Sequence, residues 1–193
     1  MVAPLPVSEP VTESSVPPLP PPRSVLVWNI AALVLALIGA AGSLWLSLGM
    51  AFIPCPLCYY QRAFVLGAAG VLLMALLTES RGSASISLLA LPLAAAGMGV
   101  AAFHVYLESN GILECPSGWL ELGTAPQQSL AVFVVLVLFL AVAGIRRPAM
   151  IVAVVVGGVL AAASITSAPK LPDPPTKAYP EGPILSCRPP FRG

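Results

Sequence analysis

Charge is what this chain of 193 residues has least of. Nine Lys or Arg and eight Asp or Glu make up 9% of the sequence, against 58% apolar residues. A soluble domain carries about 25% charged residues, so this set excludes a soluble enzyme. The net charge of +1 leaves no basic footprint to neutralise phosphates, which excludes nucleic acid as a partner. No dinucleotide fingerprint is present, which argues against a flavin. The residue after the CxxC pair is Tyr59 and not His, which excludes c-type haem. A basic start followed by a short apolar core is also missing, so the N-terminal stretch does not read as a signal peptide.

Proline is abundant, with 22 residues, but it avoids the middle of the chain: eight lie in 1–22 and eight in 169–193. The first stretch has neither helical periodicity nor core-forming content, and residues 1–23 are expected to form a disordered cytoplasmic tail. Between the tails run five apolar segments: Val25–Ile53, Leu57–Leu77, Ile86–Leu107, Ser129–Ile145 and Ala149–Ser167. A helix needs about 20 apolar residues to cross the hydrocarbon core, and a spanning strand about half that number. The reading is an all-α membrane protein, a bundle of five transmembrane helices over residues 24–168. The Val156-Gly157-Gly158-Val159 stretch reads as a close helix-packing site.

Basic residues in short loops set orientation. Arg23, Arg81 and Arg146-Arg147 mark one side, whereas the segment Glu108 to Gln128 holds three Glu and no Lys or Arg. The N-terminus is therefore expected inside, with the first and third loops and the C-terminal tail outside. The tail itself, with Lys170, Lys177, Arg188 and Arg192 against Asp173 and Glu181, pulls the other way. Under this topology Cys55, Cys58, Cys115 and Cys187 all lie outside the spans, facing one compartment. If that compartment is the oxidising exterior of a bacterial inner membrane, disulfides form there.

Cys55-Pro56-Leu57-Cys58 makes a poor structural clamp, because a bridge over two residues removes little unfolded-state entropy. At a helix start the dipole favours thiolate and poises the pair for exchange. Structural disulfides and a zinc site remain alternatives, although zinc sites of this kind usually have two CxxC pairs. Arg62 lies four residues after Cys58, one turn along the same face. It either snorkels to headgroups or holds a thiolate or a polar oxygen of a lipid-phase cofactor, and a quinone carries such oxygens.

Pro54-Cys55-Pro56-Leu57-Cys58-Tyr59-Tyr60-Gln61-Arg62 closely resembles the signature of the DsbB family, bacterial membrane thiol:quinone oxidoreductases. Phe103-His104-Val105-Tyr106, and Leu122-Gly123 with Pro126-Gln127-Gln128, resemble two further family segments, and the resemblance covers about residues 25–145. It implies a four-helix core, here with one extra helix. It implies that Cys58 faces ubiquinone or menaquinone, that Cys55 is its exchange partner, and that Arg62 and His104 border the quinone. No metal is implied. It also implies a second cysteine pair that takes electrons from a DsbA-type thioredoxin-fold oxidase, soluble or tethered. Such oxidases have potentials near about −120 mV, so the final acceptor must lie higher, as a respiratory quinone does.

In the family that second pair sits within one external loop, but here the loop holds only Cys115. Cys187, carried on the external Pro-rich tail 169–193, is the remaining candidate. The 19 residues from Ala168 to Cys187 reach roughly 60 Å at about 3.1 Å per residue, and a mobile arm would suit a shuttle disulfide. A vitamin-K-epoxide-reductase-like enzyme is an alternative, disfavoured because its quinone-side CxxC comes late in the chain. A non-catalytic assembly factor with structural disulfides is another.

Overall fold

The computed structural model describes residues 23–78, 84–119, 122–144, 149–170, 173–175, 177–179 and 182–191. Five helices run in order: α1 (Arg23–Leu48), α2 (Pro56–Leu77), α3 (Ala84–Ser109), α4 (Ala125–Gly144) and α5 (Ala149–Ser167). All five are long and apolar enough to cross a membrane, and no strand occurs among the described residues. This is a multi-pass, all-helical membrane bundle. The stretch 1–22 and the orienting residues Arg81, Arg146 and Arg147 lie outside the described residues.

Packing follows from where small and large side chains fall. α1 contacts α2 and α4, and α3 contacts α2 and α4, which closes a four-helix ring. Its interior joins Ala32, Ala36, Ala68, Leu72, Leu91, Phe133, Leu136 and Leu140. The outer faces stay apolar, with Val34, Leu37, Leu73 and Leu138 exposed, as a lipid-facing surface requires. Within the ring the Ser87 hydroxyl donates to Asn29 Oδ1 at 2.7 Å, a polar tie between α1 and α3 of the kind that helices use in lipid.

α5 stands outside the ring against α3. Gly157 makes this possible: a Cβ there would stand 2.8 Å from the Pro92 carbonyl oxygen and 2.6 Å from Ala95 Cβ. Gly158, by contrast, faces open space, so one glycine of the pair does the packing.

Helix ends differ from the apolar runs for local reasons. α1 stops at Leu48 and not near Ile53, because Ala51 sits in the left-handed region at φ 55°. The Phe52 N–H then reaches back to Leu46 O at 3.0 Å. α4 begins at Ala125, four residues before its run, with Pro126 in its first turn, where a missing N–H costs nothing.

Candidate redox site

Cys55 is the N-cap of α2, in extended geometry (φ −73°, ψ 165°), and Pro56 occupies the first helical position. The Cys58 N–H donates to Cys55 Sγ at 3.4 Å, as to a serine cap. Because Pro56 starts the helix at once, Cys58 lies in the first turn of α2. This corrects the expectation that all four cysteines fall outside the spans. Cys55 and Cys58 are free thiols with sulfurs 2.9 Å apart. The Cys55 thiol is pulled from 9.0 to about 4, chiefly by the Cys58 side-chain hydrogen bond, against the opposing cost of burial and with further help from His104. In the reduced pair the negative charge is therefore favoured on Cys55.

Cys115 and Cys187 form a disulfide across 72 residues. The tail that brings Cys187 is docked. Glu114 N–H donates to Arg188 O at 2.7 Å, Arg188 N–H to Glu114 O at 3.0 Å, and Ile53 N–H to Leu185 O at 2.8 Å. The Tyr179 hydroxyl donates to Pro189 O at 3.0 Å, and the Arg188 guanidinium lies 3.8 Å over the Tyr179 ring. The expected mobile arm is thus a strap held to the first and third loops by backbone hydrogen bonds.

His104, near the end of α3, is fully buried. Its Nε2 lies 3.8 Å from Cys55 Sγ and 3.4 Å from Cys115 Sγ. The buried Gln61 side chain reaches its Nδ1 at 3.3 Å. The ligating atoms of Cys55, Cys58, His104 and Cys187 all lie within 4.8 Å of one another. The two cysteine pairs therefore meet around one imidazole.

A cavity of about 200 Å³ opens on the other side of Cys58, between α1, α2 and α4. Its walls include Cys58, Arg62, Ile38, Val132, Phe133 and Trp119. His104 is absent from this lining, which corrects the expectation that it borders the same space as Arg62: it faces the sulfurs instead. Arg62 is aimed by α1. Its Nε donates to Ser43 Oγ at 3.0 Å, and its Nη2 to Ser43 O at 2.8 Å and to Ser47 Oγ at 2.7 Å.

Held in this way, Arg62 lines the cavity together with Cys58. An apolar slot with one cationic donor and one thiol fits a quinone ring, and Gly42 in its wall, with nothing within 4 Å of a Cβ position, leaves width for it. The cavity floor is braced by Gln128, which accepts from Trp119 N–H at 2.8 Å and donates to Trp119 O at 2.6 Å.

A second cavity, of about 350 Å³, lies between the start of α2, the ends of α3 and α5, and the tail. Cys55 and Cys187 line it, with Leu107, Ile165 and Lys170. Cys55 thus opens to one cavity, Cys58 to the other, and Cys187 to both. Sequence reasoning named Cys55, Cys58, Cys115, Cys187, Arg62 and His104 but missed Gln61, Ser43 and Ser47. The signal was there: polar residues in otherwise apolar spans, two of them at i, i+4 on one face.

The sequence model described as "Disulfide bond formation protein DsbB" matches residues 23–132. The chain is 33% identical over 132 residues to the "Disulfide bond formation protein C" of Bacillus subtilis (strain 168), covering 61% of this chain and 93% of that protein. No solved structure matches. With the CxxC cap of α2, the four-helix ring and these matches in agreement, the chain belongs to the DsbB family and is a disulfide-formation membrane protein.

Proposed function

We propose that this protein is a thiol:quinone oxidoreductase that reoxidises a DsbA-type thioredoxin-fold oxidase at the outer face of a bacterial inner membrane. One observation carries the reading. A line of sulfurs runs from the Cys115–Cys187 disulfide, past His104, to Cys55 and Cys58, and its far end opens into the cavity that Arg62 enters.

The chain's own residues divide the work. A partner thiolate attacks the Cys115–Cys187 disulfide and forms a mixed disulfide, and the released thiol exchanges with an oxidised Cys55–Cys58 pair. Cys55, low in pKa, is the exchanging sulfur, and Cys58 presents its sulfur to the cavity. Arg62, fixed by Ser43 and Ser47, offers a charged donor where a carbonyl oxygen would lie. A bound quinone supplies an acceptor for two electrons and two protons. The Bacillus subtilis relative is named for disulfide bond formation, which supports the thiol-oxidising half of this reading.

The test uses the full-length protein in liposomes containing ubiquinone, or menaquinone in parallel, with a reduced thioredoxin-fold oxidase. Loss of oxidised-quinone absorbance should match the loss of partner thiol pairs one for one, and Cys58→Ala should stop both. Thiol oxidation with no quinone consumption would overturn the reading.

A further inference from the structure

Among the described residues, His104 is the one buried side chain within hydrogen-bonding reach of both cysteine pairs. It is fully buried, and it lines neither cavity. Its Nε2 faces Cys115 Sγ at 3.4 Å and Cys55 Sγ at 3.8 Å. Its other nitrogen is engaged: the Gln61 amide Nε2, at 3.3 Å, is a donor and Nδ1 the acceptor. A neutral imidazole that accepts at Nδ1 carries its proton on Nε2. That proton is therefore directed at the sulfurs.

The two sulfurs of the Cys115–Cys187 bridge are not equivalent. Cys115 is buried, at 8% exposure, against His104. Cys187 is partly buried and lines the second cavity, so a thiol can approach it. Attack on Cys187 makes Cys115 the leaving group, beside the Nε2–H.

We propose that His104, carrying its proton on Nε2, is a catalytic residue of the disulfide relay that stabilises the Cys115 thiolate when a thiol attacks Cys187 and directs it to Cys55. This rests on the thiol-exchange half of the function proposed above. In the first step the incoming sulfur bonds to Cys187 Sγ, the Cys187–Cys115 bond breaks, and the electron pair goes to Cys115 Sγ. In the second step Cys115 Sγ bonds to Cys55 Sγ, the oxidised Cys55–Cys58 bond breaks, and the electron pair passes to Cys58 Sγ. A thiolate enters and a thiolate leaves in each step, so the Nε2–H is shared and never consumed. Gln61 is the positioning residue that keeps the proton on that side of the ring.

The experiment needs neither quinone nor protein partner, so it can fail while the quinone reading stands, and the reverse. In full-length protein carrying Cys55→Ser and Cys58→Ser, glutathione cleaves the remaining disulfide, and acid-quenched peptides are mapped by mass spectrometry. Glutathione on Cys187 with Cys115 free is expected, and glutathione on Cys115 overturns the proposal. Adding His104→Ala should slow cleavage about a hundredfold, the scale of one hydrogen-bond donor aimed at a developing anion, and an unchanged rate overturns it.

The chain has one histidine, so ¹⁵N-histidine labelling gives a single ring to read by NMR. Unmodified protein should show protonated Nε2 and bare Nδ1, with that preference lost in Gln61→Leu. A protonated Nδ1 in the unmodified protein overturns the proposal even where a variant fails to fold.

Discussion

Glu114 and Arg188, each one residue from a bridged cysteine, exchange both backbone hydrogen bonds, at 2.7 and 3.0 Å. The Cys115–Cys187 disulfide is thereby one rung of a two-residue antiparallel ladder between the third loop and the tail. Their side chains add little, with Arg188 Nε 3.9 Å from Glu114 Oε2 at part-exposed positions, a class of ion pair worth about 0–1 kcal/mol. The backbone, then, holds the tail in register for the bridge.

Arg188→Pro removes one of those two donors and leaves the Glu114 carbonyl short of a partner. A net hydrogen bond contributes about 1 kcal/mol, and about 1.4 kcal/mol corresponds to 30 mV for a two-electron couple. The Cys115–Cys187 pair should accordingly become easier to reduce, by about 20–30 mV, when equilibrated against glutathione buffers. An unchanged midpoint would mean that the ladder does not set the geometry of the bridge.

Ser43 and Ser47 should matter through Arg62 alone. The double change Ser43→Ala, Ser47→Ala deletes two hydroxyl acceptors of the guanidinium at 3.0 and 2.7 Å, and bonds to a charged group are worth about 1.5–3 kcal/mol each. Part of this is recovered because Arg62 keeps the Ser43 carbonyl. The expected outcome is a rise of about tenfold in KM for quinone in the liposome assay, with partner KM unmoved. Arg62→Met should do more, and equal effects on both substrates would place Arg62 outside the quinone cavity's work.

Cys55 should behave as a thiolate far below the range of ordinary thiols. Its pKa is lowered to about 4, so between pH 5 and 8 its charge is constant, whereas a thiol of pKa about 8.5 gains thiolate tenfold per pH unit. Iodoacetamide trapping of the reduced protein should therefore label Cys55 at a nearly flat rate from pH 8 to 5 and lose rate only as pH falls towards 4. At pH 6 the rate should exceed that of a model thiol only about two- to fivefold, since lower basicity offsets most of the larger thiolate fraction. A rate climbing in proportion to hydroxide across that range would show an unshifted thiol.

These expectations also mark what the sequence discloses. Five spans are readable because lipid demands about 20 apolar residues in a row, and the CxxC pair with Arg62 is readable because i, i+4 spacing fixes a shared face. The ends are not: α1 stops at Leu48 through a left-handed Ala51, which no hydropathy run reveals. His104 is visible as the only histidine, but whether it faces the cavity or the sulfurs depends on how α3 is rotated in the ring. The docking of the tail is hidden for a similar reason, since Glu114 and Arg188 meet only across 74 residues of chain. Gln61 sits between two conspicuous residues, Tyr60 and Arg62, and its role emerges only from contact with a helix that enters the fold later.

The extra helix offers the sharpest test of how the tail is delivered. α5 approaches α3 at Gly157, where a Cβ would stand 2.8 Å from Pro92 O, and Pro92 lies inside α3. Gly157→Leu cannot be absorbed by a rotamer change, because the nearest atoms include backbone, so α5 must move away from α3. Overpacking of this kind costs about 1–3 kcal/mol. The displaced end of α5 carries Ile165 and leads into Ala168, and both pack in the same apolar cluster as Cys55, Cys115 and Cys187. Non-reducing mass mapping should then show a substantial fraction of Cys115 and Cys187 unbridged, with Cys55 and Cys58 still able to form their own disulfide. Gly158→Leu is the control, since that position has nothing within 4 Å and should leave the bridge complete. Full bridging in both variants would mean that the strap alone, without α5, positions Cys187.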